Sequence, residues 1–164
     1  HPFCPHQQRC VSCDSGFTSC MRCRLSQGDG EAVLAAIRAW QPTRLFLDFD
    51  LTLCSTKGGA NPLKGAHRLD PELHAAVMEV GDDATHVVTR NRHTAEIQTF
   101  LEAHGVSVAQ VHTTPSGASK WDAISHVLAG SDQRAVFVDD TAREVGDPKM
   151  VADERIFRVC FQPW

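Results

Sequence analysis

Two carboxylates spaced Asp-x-Asp close an apolar run, Leu45-Phe46-Leu47-Asp48-Phe49-Asp50, with Thr52 two residues on. The run reads as a strand over about Leu45 to Asp48. A strand that ends in acids delivers them to a sheet edge, where open α/β folds build ligand sites. Alternation places Asp48 and Asp50 on one side. Because the strand finishes there, the side chain of one and the backbone of the other can converge on a small hard cation. Three further signals share this placement: Thr89 closes Thr85-His86-Val87-Val88, Asp139-Asp140 closes Ala135-Val136-Phe137-Val138, and Lys120 opens a helix. Each is commonplace alone, as a strand-end cap, a helix N-cap or a solvated lysine. Together, at the carboxyl ends of parallel strands, they bring carboxylates, a hydroxyl and an ammonium into one crevice.

The elements that must position these residues alternate. Glu31 to Trp40 has the spacing of a short amphipathic helix that Pro42 ends. Asp70-Pro71 is an N-cap followed by proline at the first helical position, opening a helix to about Val80. Strands are expected over Ala84 to Thr89, Val106 to Val111, Arg134 to Asp139 and Arg155 to Phe161, and helices over Arg92 to His104, Ser119 to Leu128 and a short stretch near Thr141. The region from Cys54 to Asp70, rich in Gly, Lys, Ser, Thr and Pro, reads as a loop over the site. Strands alternating with helices predict an α/β, three-layer, Rossmann-like parallel sheet.

At 164 residues, with 42% apolar and 22% charged residues, the chain is long enough and apolar enough for one core plus a small appendage. No apolar run approaches the ~20 residues that span a bilayer, so no membrane partner is expected. A chain that starts at His1 is expected to be a piece of a longer parent with further domains. Five of seven cysteines, Cys4, Cys10, Cys13, Cys20 and Cys23, fall in the first 23 residues. Cys10-x2-Cys13 and Cys20-x2-Cys23 form two knuckles able to supply four thiolates to tetrahedral Zn²⁺, with Cys4, His1 and His6 as further or substitute ligands. A disulfide-stapled module is the competing reading. We therefore expect a Cys-rich zinc-binding segment over residues 1 to 27 and the α/β domain over 28 to 164. Metal-type cysteines point to a reducing compartment, cytoplasmic or nuclear. Residues 1 to 24 carry Arg9, Arg22 and Arg24 against Asp14, a net +2, so the remainder carries −6 of the total −4. Such a distribution argues against a broad nucleic-acid face on the larger domain and leaves a small basic contact on the appendage.

The four motifs, over about residues 44 to 161, resemble those of the haloacid dehalogenase-like (HAD) phosphohydrolases. In that family an apolar strand with Asp-x-Asp-x-Thr is followed by a strand ending in Thr or Ser, a Lys, and an apolar strand ending in an acidic pair. Receiver domains use the same residue types with the acidic pair first and the Lys last. By the resemblance, Asp48 is the nucleophile that forms an aspartyl-phosphate, and Asp50 protonates the leaving oxygen and then activates water. Thr89 and Lys120 hold the phosphoryl group, and Asp48, the Asp50 backbone, Asp139 and Asp140 hold Mg²⁺. Thr52 supports the first turn. Arg90, Arg92, His93 and Arg143 flank the motifs and could contact phosphates, as could Lys57 and Lys64 on the loop. Cys54 is expected to pack.

Only 38 residues separate Asp50 from Thr89 and 30 separate Thr89 from Lys120, too few in either gap for an inserted cap domain. Uncapped members of the family tend to act on phosphorylated macromolecules, so the expected partner is a nucleic-acid end or a phosphoprotein. The alternative is a non-enzymatic zinc-containing interaction module binding nucleic acid or protein.

Overall fold

The computed structural model describes residues 19–130, 132–162 and 164. Its centre is a seven-stranded sheet in the order β1-β2-β7-β6-β3-β4-β5. The strands are β1 (Ser19–Cys20), β2 (Leu25–Gly28), β3 (Arg44–Leu47), β4 (Thr85–Thr89), β5 (Gln110–Thr113), β6 (Ala135–Asp139) and β7 (Ile156–Phe161). Every neighbouring pair is parallel except β1 with β2. Six helices cover the sheet: α1 (Gly30–Trp40), α2 (Pro71–Val80), α3 (Thr94–Ala103), α4 (Lys120–Val127), α5 (Ala142–Val145) and α6 (Pro148–Ala152).

Alternation along the strands sorts the core into two layers. Leu45, Leu47, Val136 and Val138 pack with Val33 and Ile37 of α1, Leu73 of α2 and Ile97 of α3. Phe46 and Phe137 face the other way, onto Ile124 of α4, Val145 of α5 and Met150 of α6. With both faces covered, the central strands are apolar throughout, as buried parallel strands require. Among the described residues, no helix is long and apolar enough to cross a membrane.

Local signals set the helix boundaries. Asp29 accepts from the backbone N–H groups of Glu31 and Ala32 to cap α1, and Asp70 accepts from Leu73 N–H with Pro71 at the first turn of α2. Other expectations shift. The third strand, expected over Val106 to Val111, runs instead over Gln110–Thr113. Val106 finishes α3: Gly105 takes a left-handed φ of 72°, and Val106 N–H donates to Leu101 O at 2.9 Å, which tucks the valine side chain into the core. The short helix expected near Thr141 is followed by a second, α6, with Asp147 as its cap and Pro148 at its start. The expected boundary between 27 and 28 falls inside β2, whose residues pair one for one with Arg158 to Phe161 of β7. The end of the Cys-rich region is thus built into the sheet.

On the α4 side, His86 is buried and its Nδ1 lies 2.9 Å from Nε2 of His112. Burial first, then the His112 imidazole, pulls His86 from 6.5 to about 4. The unfolded chain therefore takes up this proton before the folded one does. This group costs nothing above about 6.5, and its contribution turns unfavourable as pH falls toward about 4. Urea midpoints measured above and below this window should fall on acidification, and His86→Leu should fall less than the wild type.

Candidate active site

The register of the three central strands assembles the site. Leu47 lies opposite Val138 of β6 and Val87 of β4, so Asp48, Asp139 and Thr89 emerge at the same edge of adjacent strands. Asp48 follows Phe46 in alternation, and Asp139 follows Phe137, so both turn to the α4 face. There Ser119 caps α4 by accepting from Trp121 N–H, which places Lys120 at its first turn. The Lys120 ammonium, 3% exposed, donates to Asp48 Oδ1 at 2.9 Å and to Asp139 Oδ2 at 2.7 Å.

The turn after Asp48 is tight. Leu51 takes a left-handed φ of 53°, and its N–H donates to Thr56 O at 2.9 Å. A side chain in that conformation is uncommon and marks a turn held by its surroundings. The turn brings the Thr52 hydroxyl within 3.1 Å of Asp48 Oδ2 and 3.3 Å of Asp140 Oδ1. Trp164 Nε1 donates to the Thr52 carbonyl at 3.1 Å.

Carboxylate oxygens of Asp48, Asp139 and Asp140 lie within 4.8 Å of one another. Burial, opposed by Lys120, raises Asp48 from 3.8 to about 7. Asp139 also rises to about 7, by burial and then by the Asp48 charge. Burial raises Asp140 as well. Burial disfavours the Lys120 ammonium, but Asp139 and Asp48 outweigh it and hold its pKa above the ordinary value. Four carboxylates, these three and Glu144, face two cations, Lys120 and Arg90. The surplus negative charge and the all-oxygen donor set fit a hard divalent cation.

Around this centre lies a cavity of about 440 Å³, lined by Asp48, Asp50, Thr89 and Lys120 at its base and by Gly58, Gly59 and Arg143 nearer its mouth. The expected loop is a series of turns closed by a bridge between Cys54 and Leu69. Between Asp50 and Thr89 there are only this loop, α2 and a single 3-10 turn, and between Thr89 and Lys120 only α3 and β5. Neither gap holds a cap domain.

The structure joins Asp48, Asp50, Thr89, Lys120 and Asp140 around one cavity, with Asp139 beneath on Lys120. The Asp50 carboxylate turns away from the acidic cluster toward the loop, accepting from Thr56 Oγ1, Gly59 N–H and Asn91 Nδ2. Arg90 lines the cavity, but its guanidinium is committed to both Glu144 oxygens and to the carbonyls of Pro115 and Ala118. It braces the wall between α5 and the segment before α4. Arg92, His93, Lys57 and Lys64 do not line the cavity, whereas Arg143 does. Cys54 is buried in the core, as expected.

Known proteins give no further guide: the chain matches no protein-family model, no curated protein and no solved structure significantly. The chemistry is carried by the geometry alone. Three participants escaped the sequence reading, namely Asn91, Thr56 and Glu144. Asn91 and Glu144 act through partners far away in the chain, Thr56 through a turn whose shape the sequence does not show, and none interrupts an apolar strand.

Of the expected zinc ligands, His1, Cys4, His6, Cys10 and Cys13 lie outside the described residues. Cys20 ends β1 and Cys23 sits on the turn to β2, where Cys23 N–H donates to Cys20 Sγ at 3.2 Å and Arg24 takes a left-handed φ of 51°. Cys23 is disulfide-bonded. Zinc thiolates and disulfides therefore separate by a zinc and free-thiol measurement on the purified protein. With Cys23 in a disulfide, chelation should release no thiol from it; one or two zinc ions per chain, with the thiols of both knuckles released by chelation, would instead show that the knuckles bind metal.

Because Asp48 resists ionisation in the folded protein, its charge costs stability that grows as pH rises from the ordinary carboxylate range through about 7. In chelator near pH 8, Asp48→Asn should therefore raise stability by about 1–3 kcal/mol. Lys120→Met should lower it by about 3–5 kcal/mol, because it leaves two buried carboxylates unpaired. Thermal denaturation of both variants checks the two signs.

Proposed function

We propose that the protein is a Mg²⁺-dependent phosphatase that hydrolyses phosphomonoesters through an aspartyl-phosphate on Asp48. The observation that carries this reading is a buried carboxylate at a strand end, held 2.9 Å from the Lys120 ammonium and grouped with Asp139 and Asp140. Motif order and spacing support assignment to the HAD-like phosphohydrolases, and the absence of a cap in either gap fits their uncapped type.

Asp48 and the acidic pair Asp139-Asp140 would hold the metal, whose charge offsets the crowded carboxylates and the phosphoryl oxygens. Lys120 favours the ionised form of Asp48 against burial and orients it. Phosphoryl transfer relies on positioning and charge compensation, and this pairing supplies both. An Asp48 carboxylate oxygen attacks phosphorus, the bond to the leaving oxygen breaks, and that oxygen takes a proton from Asp50. A water molecule then attacks the phosphorus of the aspartyl-phosphate and gives its proton to Asp50, which releases inorganic phosphate and restores both carboxyl groups. Thr89, 1% exposed at the cavity floor, supplies a hydroxyl to the phosphoryl oxygens.

The open cavity suits a phosphate carried on a large molecule, a nucleic-acid end or a phosphoprotein. Arg143, exposed at the rim, is placed to meet a neighbouring anionic group. Zinc on the Cys-rich segment would give such a substrate a second contact surface.

Phosphate release from 3′- and 5′-phosphorylated oligonucleotides and from phospho-Ser, phospho-Thr and phospho-Tyr peptides, with Mg²⁺ or with chelator, tests the reading. Turnover of one class is expected, lost by at least about 10³-fold in Asp48→Asn and in chelator. Equal rates for wild type and Asp48→Asn on every substrate would end it.

A further inference from the structure

The acid–base carboxylate of Asp50 takes two of its donors from the loop that covers the cavity. Its Oδ1 accepts from Thr56 Oγ1 at 2.6 Å, and its Oδ2 accepts from Gly59 N–H at 2.7 Å. Gly59 takes a left-handed φ of 77°, which presents that N–H to the carboxylate without the cost a side chain would meet. Both donors belong to the loop and would carry Asp50 with them if the loop shifted.

The third donor does not belong to the loop. Asn91 follows Thr89 at the end of β4, is 2% exposed, and places Nδ2 at 3.0 Å and 3.3 Å from the two Asp50 oxygens. The same amide group donates to the carbonyl of Ala60 at 2.8 Å. On its other side, Asn91 Oδ1 accepts from His93 N–H at 2.9 Å, and Asn91 N–H donates to Thr89 Oγ1 at 3.0 Å. The three side-chain partners fix the amide's orientation: the carboxylate and carbonyl require Nδ2, and the His93 N–H requires Oδ1. A flipped amide would be wrong at all three.

We infer that Asn91 is the positioning residue for Asp50, tying the acid–base carboxylate and the covering loop to the strand end that carries Thr89. The inference rests on the phosphatase reading of this site. Asn91 touches neither the phosphoryl group nor the nucleophile, and it acts through Asp50. Its loss should therefore be felt where the leaving oxygen needs a proton and spared where it does not.

The test is the dependence of kcat/KM on the leaving group. This constant reports steps up to transfer of the phosphoryl group to Asp48, so it isolates the proton given to the leaving oxygen. Wild type, Asn91→Ala and Asn91→Ser would be compared on an alkyl phosphate and on 2,4-dinitrophenyl phosphate, whose leaving group departs unprotonated. Asp50→Asn defines the pattern of a lost acid. Ser keeps an acceptor for His93 N–H but cannot reach Asp50, so it serves if the alanine variant does not fold. The expected result is a loss of at least about 30-fold on the alkyl ester and less than about 3-fold on the dinitrophenyl ester, the same pattern as Asp50→Asn. Equal losses on both esters, or no loss on either, would overturn the inference while leaving the phosphatase reading intact. A wild type inactive on both esters and on the macromolecular panel would remove both.

Discussion

The structure around the cavity depends on one buried ammonium. Lys120 lies between the carboxylates that end β3 and β6, at 2.9 Å and 2.7 Å, and without it two buried negative charges would face each other at the centre of the sheet. Burying three ionised groups is expensive, and attraction repays that cost only when the geometry is close and the remaining atoms are bonded. Here the surroundings complete it: the Thr52 hydroxyl serves Asp48, the Thr141 N–H donates to Asp139 at 2.9 Å, and Glu144 stands 3.5 Å from Lys120. The cluster is still short of positive charge. A site built only for stability would have replaced these groups with apolar ones, whereas one that must receive a divalent cation and a phosphoryl group has reason to keep them.

A second ring of contacts fixes the parts that the ammonium does not reach. Arg90 grips Glu144 with two hydrogen bonds and also holds the carbonyls of Pro115 and Ala118, so the segment before α4 and the helix α5 share one clamp. Asn91 does the same for the covering loop and Asp50. The two adjacent residues after Thr89 thus hold two different segments that border the cavity. On the same face of the sheet, buried Arg158 donates to the carbonyls of Val145 and Cys23, joining α5 to the Cys-rich turn.

Much of this was legible in the sequence, for a physical reason. Asp48, Thr89 and Asp139 interrupt apolar strands, and a polar residue at the end of a buried strand stands out against the pattern that the core imposes. The caps at Asp29 and Asp70 and the alternation of strands and helices were readable because they depend on neighbours in the chain. Asn91 and Glu144 were not, since their partners lie 41 and 54 positions away. The clamp that Arg90 makes on Glu144 was hidden because a free arginine and a clamped one look alike in sequence. The short strands β1 and β2 were hidden by the cysteines around them, which drew the reading to metal ligands; residues 25 to 28 pair with β7. Val106 was assigned to a strand because its hydrophobicity fits a strand as well as it fits the end of a helix.

The central claim is that Asp48 is the group that takes the phosphoryl. Mixing the protein with a phosphomonoester and Mg²⁺, quenching in acid within the first turnover and mapping peptides by mass spectrometry addresses it directly, since acyl phosphates survive in acid. The expected product is a peptide containing Asp48 that is heavier by one phosphoryl group, is cleaved by hydroxylamine and is absent in Asp48→Asn. Phosphate release with Asp48 unmodified throughout, or with the added mass on another residue, would contradict it.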